Sequence, residues 1–533
     1  MLIQKKKSTQ ANKQTKNVCI EPIYLRRERT PLKDCRCSFN TGNVVASLFS
    51  RAKSPPPRLA SRNVPSPRCS LVAFPTGQVI WRRSDTGVIV KDWRYHWHSA
   101  IRRKAVFELP RRLSPTYATM DIGTAILIIG FAALVAAFCL LVIGLVFSEV
   151  MNAEIPPGLA NRGKLQVMHC SMVGIAVMGR ILERLGLCHQ LHFTRWLTGC
   201  MLGRKRPSPA GLRIKDSTFA GVPVRIYEPT AVSEHKRRGL VYFHGGGWVL
   251  GSIDMYDGVC RHIARNSDTV VVSVGYRLAP EHRFPAALDD CELATRHFLS
   301  VAADFNVDPL RVALGGDSAG GNLAAALSQR LATCPDGHLP SPCGLVLIYP
   351  ALQMADFNLP SYQQNHAVPV LFRARMLFYY LQYLNGDMSV CQDVLEGRHV
   401  PAELKLHYSK WLDPSNLPPE FRGGTQKQVV TAHDGEVYHI VKGGLEPGIS
   451  PLLAEDKVLR LTPPTFILTC QYDVLRDDGI LYRKRLQDLG IKVTWYNVPD
   501  GFHGILSFFR KGWMSIPAGV KAMEQIVSYI KTL

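Results

Sequence analysis

Hydrophobic positions divide the chain into three regimes. Residues 1–119 sustain no apolar periodicity. Ile122 to Ser148 is an uncharged run of 27 residues, bounded by Asp121 and Glu149. From Leu212 onward, short apolar runs alternate with stretches of helical length. The runs are Val224–Tyr227, Gly239–Phe243, Val270–Val274, one ending at Val312–Leu314, Gly344–Tyr349, Thr465–Thr469 and Val493–Tyr496. Helical spacing is read around Val259–Asn266, from about Pro285 to Ala303, and from Asn322 onward. Apolar runs separated by helices predict an α/β domain with a mostly parallel sheet covered on both faces.

Two segments depart from that rhythm. Residues 352–450 carry many aromatics and prolines, among them Phe372, Phe378, Tyr379, Tyr380, Pro418 and Pro419. Such an insertion suits a lid or a pocket wall. Lys164–Gly186 has helical apolar spacing, but Lys164, His169, Arg180, Glu183 and Arg184 interrupt it and argue against a second span. A helix over an active-site mouth fits, and so does an ordinary packed helix. The expected organisation is an extension (1–119), a transmembrane segment (120–150), a cap-like helical segment (151–205) and a catalytic domain (206–533).

The run at Ile122 exceeds the ~20 apolar residues needed to cross a bilayer, and a cleavable signal usually has only ~7–15, so a signal anchor is expected. The chain carries a formal net charge of +22, which matters only once it is located. Residues 1–119 hold 24 Lys and Arg against 6 Asp and Glu; the other 414 residues hold 40 against 36. A basic arm ahead of a nearly neutral body gives no nucleic-acid signal for the body. The arm is rich in Ser and Pro and is expected to be disordered; Trp81, Trp93 and Trp97 sit among its arginines. Its charge lies N-terminal to the span, so the positive-inside bias puts the N-terminus in the cytosol and the body across the membrane. Initiation at Met120 would remove that argument. No N-x-Ser/Thr site follows the span. The 14 cysteines show no metal-binding spacing and no disulfide framework.

The chemistry centres on Gly316-Asp317-Ser318-Ala319-Gly320, between the apolar end of a strand and an Ala-rich helix. A G-x-S-x-G turn at such a corner is a nucleophile elbow, with small neighbours that let Oγ project. A serine needs a base, an orienting carboxylate and a stabilised oxyanion. His503 in Gly501-Phe502-His503-Gly504 is the candidate base, just after the last strand. Asp473, directly after the Thr465 strand, is the candidate carboxylate, with Asp477 and Asp478 as runners-up expected to cap the next helix. The order Ser, Asp, His is that of α/β-hydrolases. His244-Gly245-Gly246-Gly247 follows the strand ending at Phe243. The expected oxyanion donors are the amides of Gly245, Gly246 and Ala319, with His244, Gly247, Gly316 and Gly320 supporting the loops. A phosphate cradle is the competing use of the glycines, but no Lys-Ser/Thr follows.

These motifs, with Tyr276-Arg277-Leu278-Ala279-Pro280-Glu281 and Asp500–Gly504, resemble the hormone-sensitive-lipase group of α/β-hydrolases. Leu347–Gln353, Leu359–Tyr362, Pro451–Leu453 and Thr469–Gly479 resemble arylacetamide deacetylase and its like-proteins. The resemblance covers about residues 120–533. It implies an α/β-hydrolase fold with cap segments, in a single-pass type II protein of the endoplasmic reticulum with a lumenal catalytic domain. It implies cofactor-free and metal-free hydrolysis of carboxylic esters or aryl-amides, with lipid esters in some members. Relatives can bridge a cysteine after the motif Trp to the one before the catalytic Asp; here Cys470 is present but the partner position is Val249, which puts that disulfide in doubt. The reading is a membrane-anchored serine esterase or deacetylase for apolar substrates. A neutral lipid ester hydrolase is the alternative, and a non-catalytic hydrolase-fold binding protein the rival from another class.

Overall fold

A computed structural model describes residues 121–533, apart from Asn152, Glu154, Ala160, 204–206, Ser208, Pro209, Asp336 and 424–431. The basic extension expected over 1–119 and the start at Met120 lie outside the described residues. The uncharged run is one helix, α1 (Ile122–Met151), with no buried side chain among those described. α2 (Arg162–Arg184) and α3 (Gln190–Leu202) follow, and α2 buries Leu165, His169, Val173 and Val177. α1 and α2 are both long and apolar enough to cross a membrane by length and composition.

Eight strands form one sheet: β1 (Leu212–Phe219), β2 (Val222–Pro229), β3 (Arg237–Phe243), β4 (Thr269–Val274), β5 (Val307–Asp317), β6 (Leu345–Ile348), β7 (Thr465–Tyr472) and β8 (Val493–Phe502). Their order is β1-β2-β4-β3-β5-β6-β7-β8. The β1–β2 and β2–β4 pairs are antiparallel and every other pair is parallel. β1 is a strand that the apolar runs did not mark. It lies at the sheet edge, and only Leu212 and Phe219 of its eight residues are buried.

The strand period of two sends alternate side chains into two cores. Val241 and Phe243 of β3 join Leu314 and Leu347 on one face, with α5 (Ala286–Val301) and α6 (Ala319–Thr333) packed over them. Leu240 and Tyr242 join Val271, Val346 and Leu468 on the other, under α4 (Ile253–Ser267) and the C-terminal helix Pro517–Thr532. Each such buried aliphatic side chain contributes about 1.5–3 kcal/mol relative to exposure. α4 starts earlier than its apolar spacing indicated, because the Ser252 side chain caps it by accepting from Met255 N–H at 3.3 Å. All parallel strands end on one side of the sheet, where a doubly covered sheet presents its loops. Residues 352–450 add helices there, including Pro360–Gln364, Arg373–Leu384 and Ala402–Leu412.

Candidate active site

Ser318 follows β5 directly and holds φ 55°, ψ −121°, a conformation that costs a non-glycine residue about 1–3 kcal/mol. The strain is held from both sides: Ser318 N–H donates to Ile348 C=O at 2.8 Å, and Ser318 C=O accepts from Asn322 N–H at 3.1 Å. The glycines around it are steric requirements. A Cβ on Gly320 would collide with the Phe243 carbonyl, and one on Gly316 with Gly320.

His503 follows β8 and Asp473 follows β7. Ser318 Oγ lies 2.9 Å from His503 Nε2, and His503 Nδ1 lies 2.8 Å from Asp473 Oδ2. A carboxylate oxygen only accepts, so in this arrangement the imidazole donates from Nδ1 to Asp473 and accepts at Nε2 from the serine hydroxyl. Asp473 Oδ1 accepts from Leu475 N–H at 2.9 Å, which fixes the carboxylate plane. The runners-up have other partners. Asp477 accepts from Arg476 Nε at 2.9 Å and Ser361 N–H at 2.7 Å. Asp478 accepts from Leu352 N–H at 3.0 Å and Gln353 Nε2 at 3.1 Å. Both tie the 352–361 segment to the body.

The glycine loop corrects one expectation. Gly245 N–H donates to Asp317 Oδ1 at 2.9 Å, so it is committed to the elbow and does not face a substrate. Asp317 also accepts from Tyr242 OH at 2.8 Å and Tyr256 OH at 2.9 Å. Burial pushes its carboxyl up, and these three donors oppose that rise. The residue between Gly316 and Ser318 thus clamps the glycine loop to the elbow, a role the motif alone does not announce.

A peptide unit is planar, so holding one carbonyl aims the next residue's N–H the opposite way. His244 Nδ1 lies 2.8 Å from the Gly245 carbonyl, which orients Gly246 N–H. The Gly246 carbonyl accepts from Val249 and Leu250 N–H at 3.2 and 2.8 Å, which orients Gly247 N–H. The Ser318 carbonyl bond to Asn322 orients Ala319 N–H in the same manner. Among the described residues, Gly246, Gly247 and Ala319 N–H meet no protein acceptor. His244 itself is fully buried and stacks on Tyr276 at 4.3 Å; burial pushes its ring down to about 4, so it is neutral.

Beside this loop is a cavity of about 450 Å³. Met172 and Ile175 of α2, Leu191 of α3, Leu250, Phe372, Phe378 and Met388 line it. Tyr379, also in its wall, rests against Gly247. No group of three or more His, Cys, Asp or Glu among the described residues is arranged to hold a metal ion. All ten described cysteines are free; Cys470 and Val249 are both buried, in different cores.

Residues 240–399 and 423–507 match the alpha/beta hydrolase fold family. Over 387 residues the chain is 40% identical to Arylacetamide deacetylase-like 4 of Homo sapiens, covering 72% of this chain and 94% of that protein. The chain belongs to the arylacetamide deacetylase family. Arylacetamide deacetylase of Bos taurus is 37% identical, with 74% of this chain and 98% of that protein covered. Neutral cholesterol ester hydrolase 1 of Pongo abelii is 36% identical, again over 74% and 98%. Among solved structures, an alpha/beta hydrolase enzyme from the metagenome of Lake Arreo, Spain, superposes with a TM-score of 0.51 at 27% identity, covering 71% of this chain and 98% of that one. The family's α/β-hydrolase fold is the one the parallel sheet and elbow display. Tyr242, Tyr256 and Asp317, which brace the loop, were not singled out by sequence reasoning; only Asp317, beside Ser318, lay inside a recognised motif.

Proposed function

We propose that Ser318, His503 and Asp473 are the catalytic triad of a serine carboxylesterase or deacetylase acting on apolar carboxylic esters or aryl-amides. Membership in the arylacetamide deacetylase family makes the chain a carboxylic ester hydrolase. The observation that carries the residue assignment is the unbroken relay from Ser318 Oγ through His503 to Asp473. Ser318 attacks the carbonyl carbon while His503 Nε2 takes its proton. The tetrahedral oxygen is held by the N–H groups of Gly246, Gly247 and Ala319. His503 then protonates the leaving alcohol or amine, and water, deprotonated by the same ring, releases the acid. Asp473 holds the tautomer and stabilises the imidazolium.

The apolar cavity beside Gly247 receives the hydrophobic part of the substrate. The 151–205 and 352–450 segments act as its cap over a 206–533 body. α1 anchors the protein in the endoplasmic reticulum membrane as a single-pass type II span with a lumenal catalytic domain. The basic excess N-terminal to α1 supports that orientation. Cavity size and the cholesterol ester hydrolase among the relatives favour lipid esters as the second substrate class.

The test is hydrolysis of p-nitrophenyl acetate and a long-chain homologue by detergent-solubilised protein beside Ser318→Ala. The variant should lose on the order of 10⁴ or more in kcat. The chain-length ratio then separates a deacetylase from a lipid-ester hydrolase. Wild type and variant equally inert on both esters and on an arylacetamide would move the reading to a non-catalytic binding protein.

A further inference from the structure

We propose that Arg195 of the cap helix α3 is a positioning residue for the oxyanion loop, so that seating of the cap sets the aim of the Gly247 amide. The inference rests on the serine esterase reading above. One guanidinium reaches three acceptors on two loops. Its Nε donates to the Val249 carbonyl at 2.6 Å, its Nη2 to the Ala279 carbonyl, and its Nη1 pairs with Glu281 Oε1 at 2.6 Å.

Two of those acceptors are carbonyls of buried residues, Val249 just after the glycines and Ala279 on the loop that packs against them. Val249 N–H donates to the Gly246 carbonyl, the other end of the peptide unit that carries Gly247 N–H. Ala279 N–H donates to the Trp248 carbonyl at 3.0 Å. Arg195 therefore grips the segment that turns after Gly247 directly at Val249, and also grips the Ala279 loop that bonds its Trp248 carbonyl. A planar fork with fixed donors suits two carbonyls and a carboxylate at once, which a lysine cannot match. Glu281 is held charged for this contact. Burial alone would raise its carboxyl, but the Arg195 and His192 contacts hold it down to about 2. His192, one turn before Arg195 on α3, lies 2.6 Å from the same Glu281 oxygen. α3 also supplies Leu191, Thr194 and Thr198 to the wall of the apolar cavity, so one helix meets both substrate space and oxyanion loop.

The test uses full-length protein in detergent, with active sites counted by fluorophosphonate labelling. Arg195→Ala should lower kcat per labelled site by about 10–100-fold, less than the roughly 10²–10³ for losing an oxyanion donor outright, with KM within about threefold. A trifluoromethyl ketone, which forms a tetrahedral oxyanion on serine, should lose affinity by the same factor as kcat. Added guanidinium should recover part of the loss in Arg195→Ala and none in wild type. Should Arg195→Ala not fold, Arg195→Lys keeps the charge beside Glu281 and should still show the paired loss of kcat and ketone affinity. Glu281→Gln leaves both carbonyl bonds and should lose less than Arg195→Ala. An Arg195 variant with kcat per labelled site within twofold of wild type would overturn the assignment. So would a loss in KM alone with ketone affinity unchanged. Inert wild type would sink the esterase reading and this one together; an active wild type with an unaffected variant sinks only the role of Arg195.

Discussion

Ser318, His503 and Asp473 meet through two hydrogen bonds between side chains, each side chain following its own strand of the parallel sheet. In the proposed mechanism the glycine loop at His244–Gly247, held against the elbow through Asp317, offers no side chain to the reaction. Its amides are aimed indirectly: Asp317 takes Gly245 N–H, His244 holds the Gly245 carbonyl, Val249 and Leu250 hold the Gly246 carbonyl, and Arg195 holds Val249. The nucleophile half thus depends on residue identity at three positions. The oxyanion half depends on which backbone groups are already occupied, and its supports extend into the cap. On the proposed mechanism, losing Ser318, His503 or Asp473 removes a reacting group or its orienter, while losing a support only misdirects a dipole.

That difference ranks the expected effects. His503→Ala removes the base, and kcat should fall by on the order of 10⁴ or more; Asp473→Asn, which keeps shape and alters the tautomer, should lose about 10⁴. Steady-state rates on a p-nitrophenyl ester measure both. Asp317→Asn leaves the triad intact but sets an amide against three donors. Its kcat should fall about 10²-fold with little change in KM, the cost of misplacing an oxyanion donor. A variant as inert as His503→Ala would erase the proposed distinction between the halves.

A further effect, on stability rather than rate, comes from two buried histidines outside the triad. Burial depresses the rings of His244 in the oxyanion loop and His399 in the 352–450 segment to about 4, against 6.5 when exposed. Their folded forms bind a proton less readily than the unfolded chain. The stabilisation is complete above pH 6.5 and is lost as pH falls from 6.5 toward 4. Each should remove about 3 kcal/mol over that window. Denaturant titrations at pH 7 and pH 4.5 measure the slope. His399→Gln should flatten the slope, and an unchanged slope would place the effect elsewhere.

The legible parts of this molecule are those whose residue types carry the message. The elbow announced itself because Gly316 and Gly320 admit no Cβ, and the inner parallel strands because burial on both faces makes most of their residues apolar. β1 stayed hidden for the opposite reason: Arg213, Lys215, Asp216 and Ser217 occupy a strand with water along most of its length. Gly245 was assigned wrongly because three consecutive glycines look alike until Asp317 is seen to take one amide. Arg195 lies 86 residues before Glu281 and contacts carbonyls, which every residue has, so no pattern in the chain marks it.

The most direct test of the central claim is to trap the acyl-enzyme position. Full-length protein inactivated with diethyl p-nitrophenyl phosphate would be digested and mapped by mass spectrometry. The account predicts one diethylphosphoryl group on the peptide bearing Ser318, rising in proportion to the activity lost and absent from Ser318→Ala. Inactivation with Ser318 unmodified, or with the label on another residue, would contradict it.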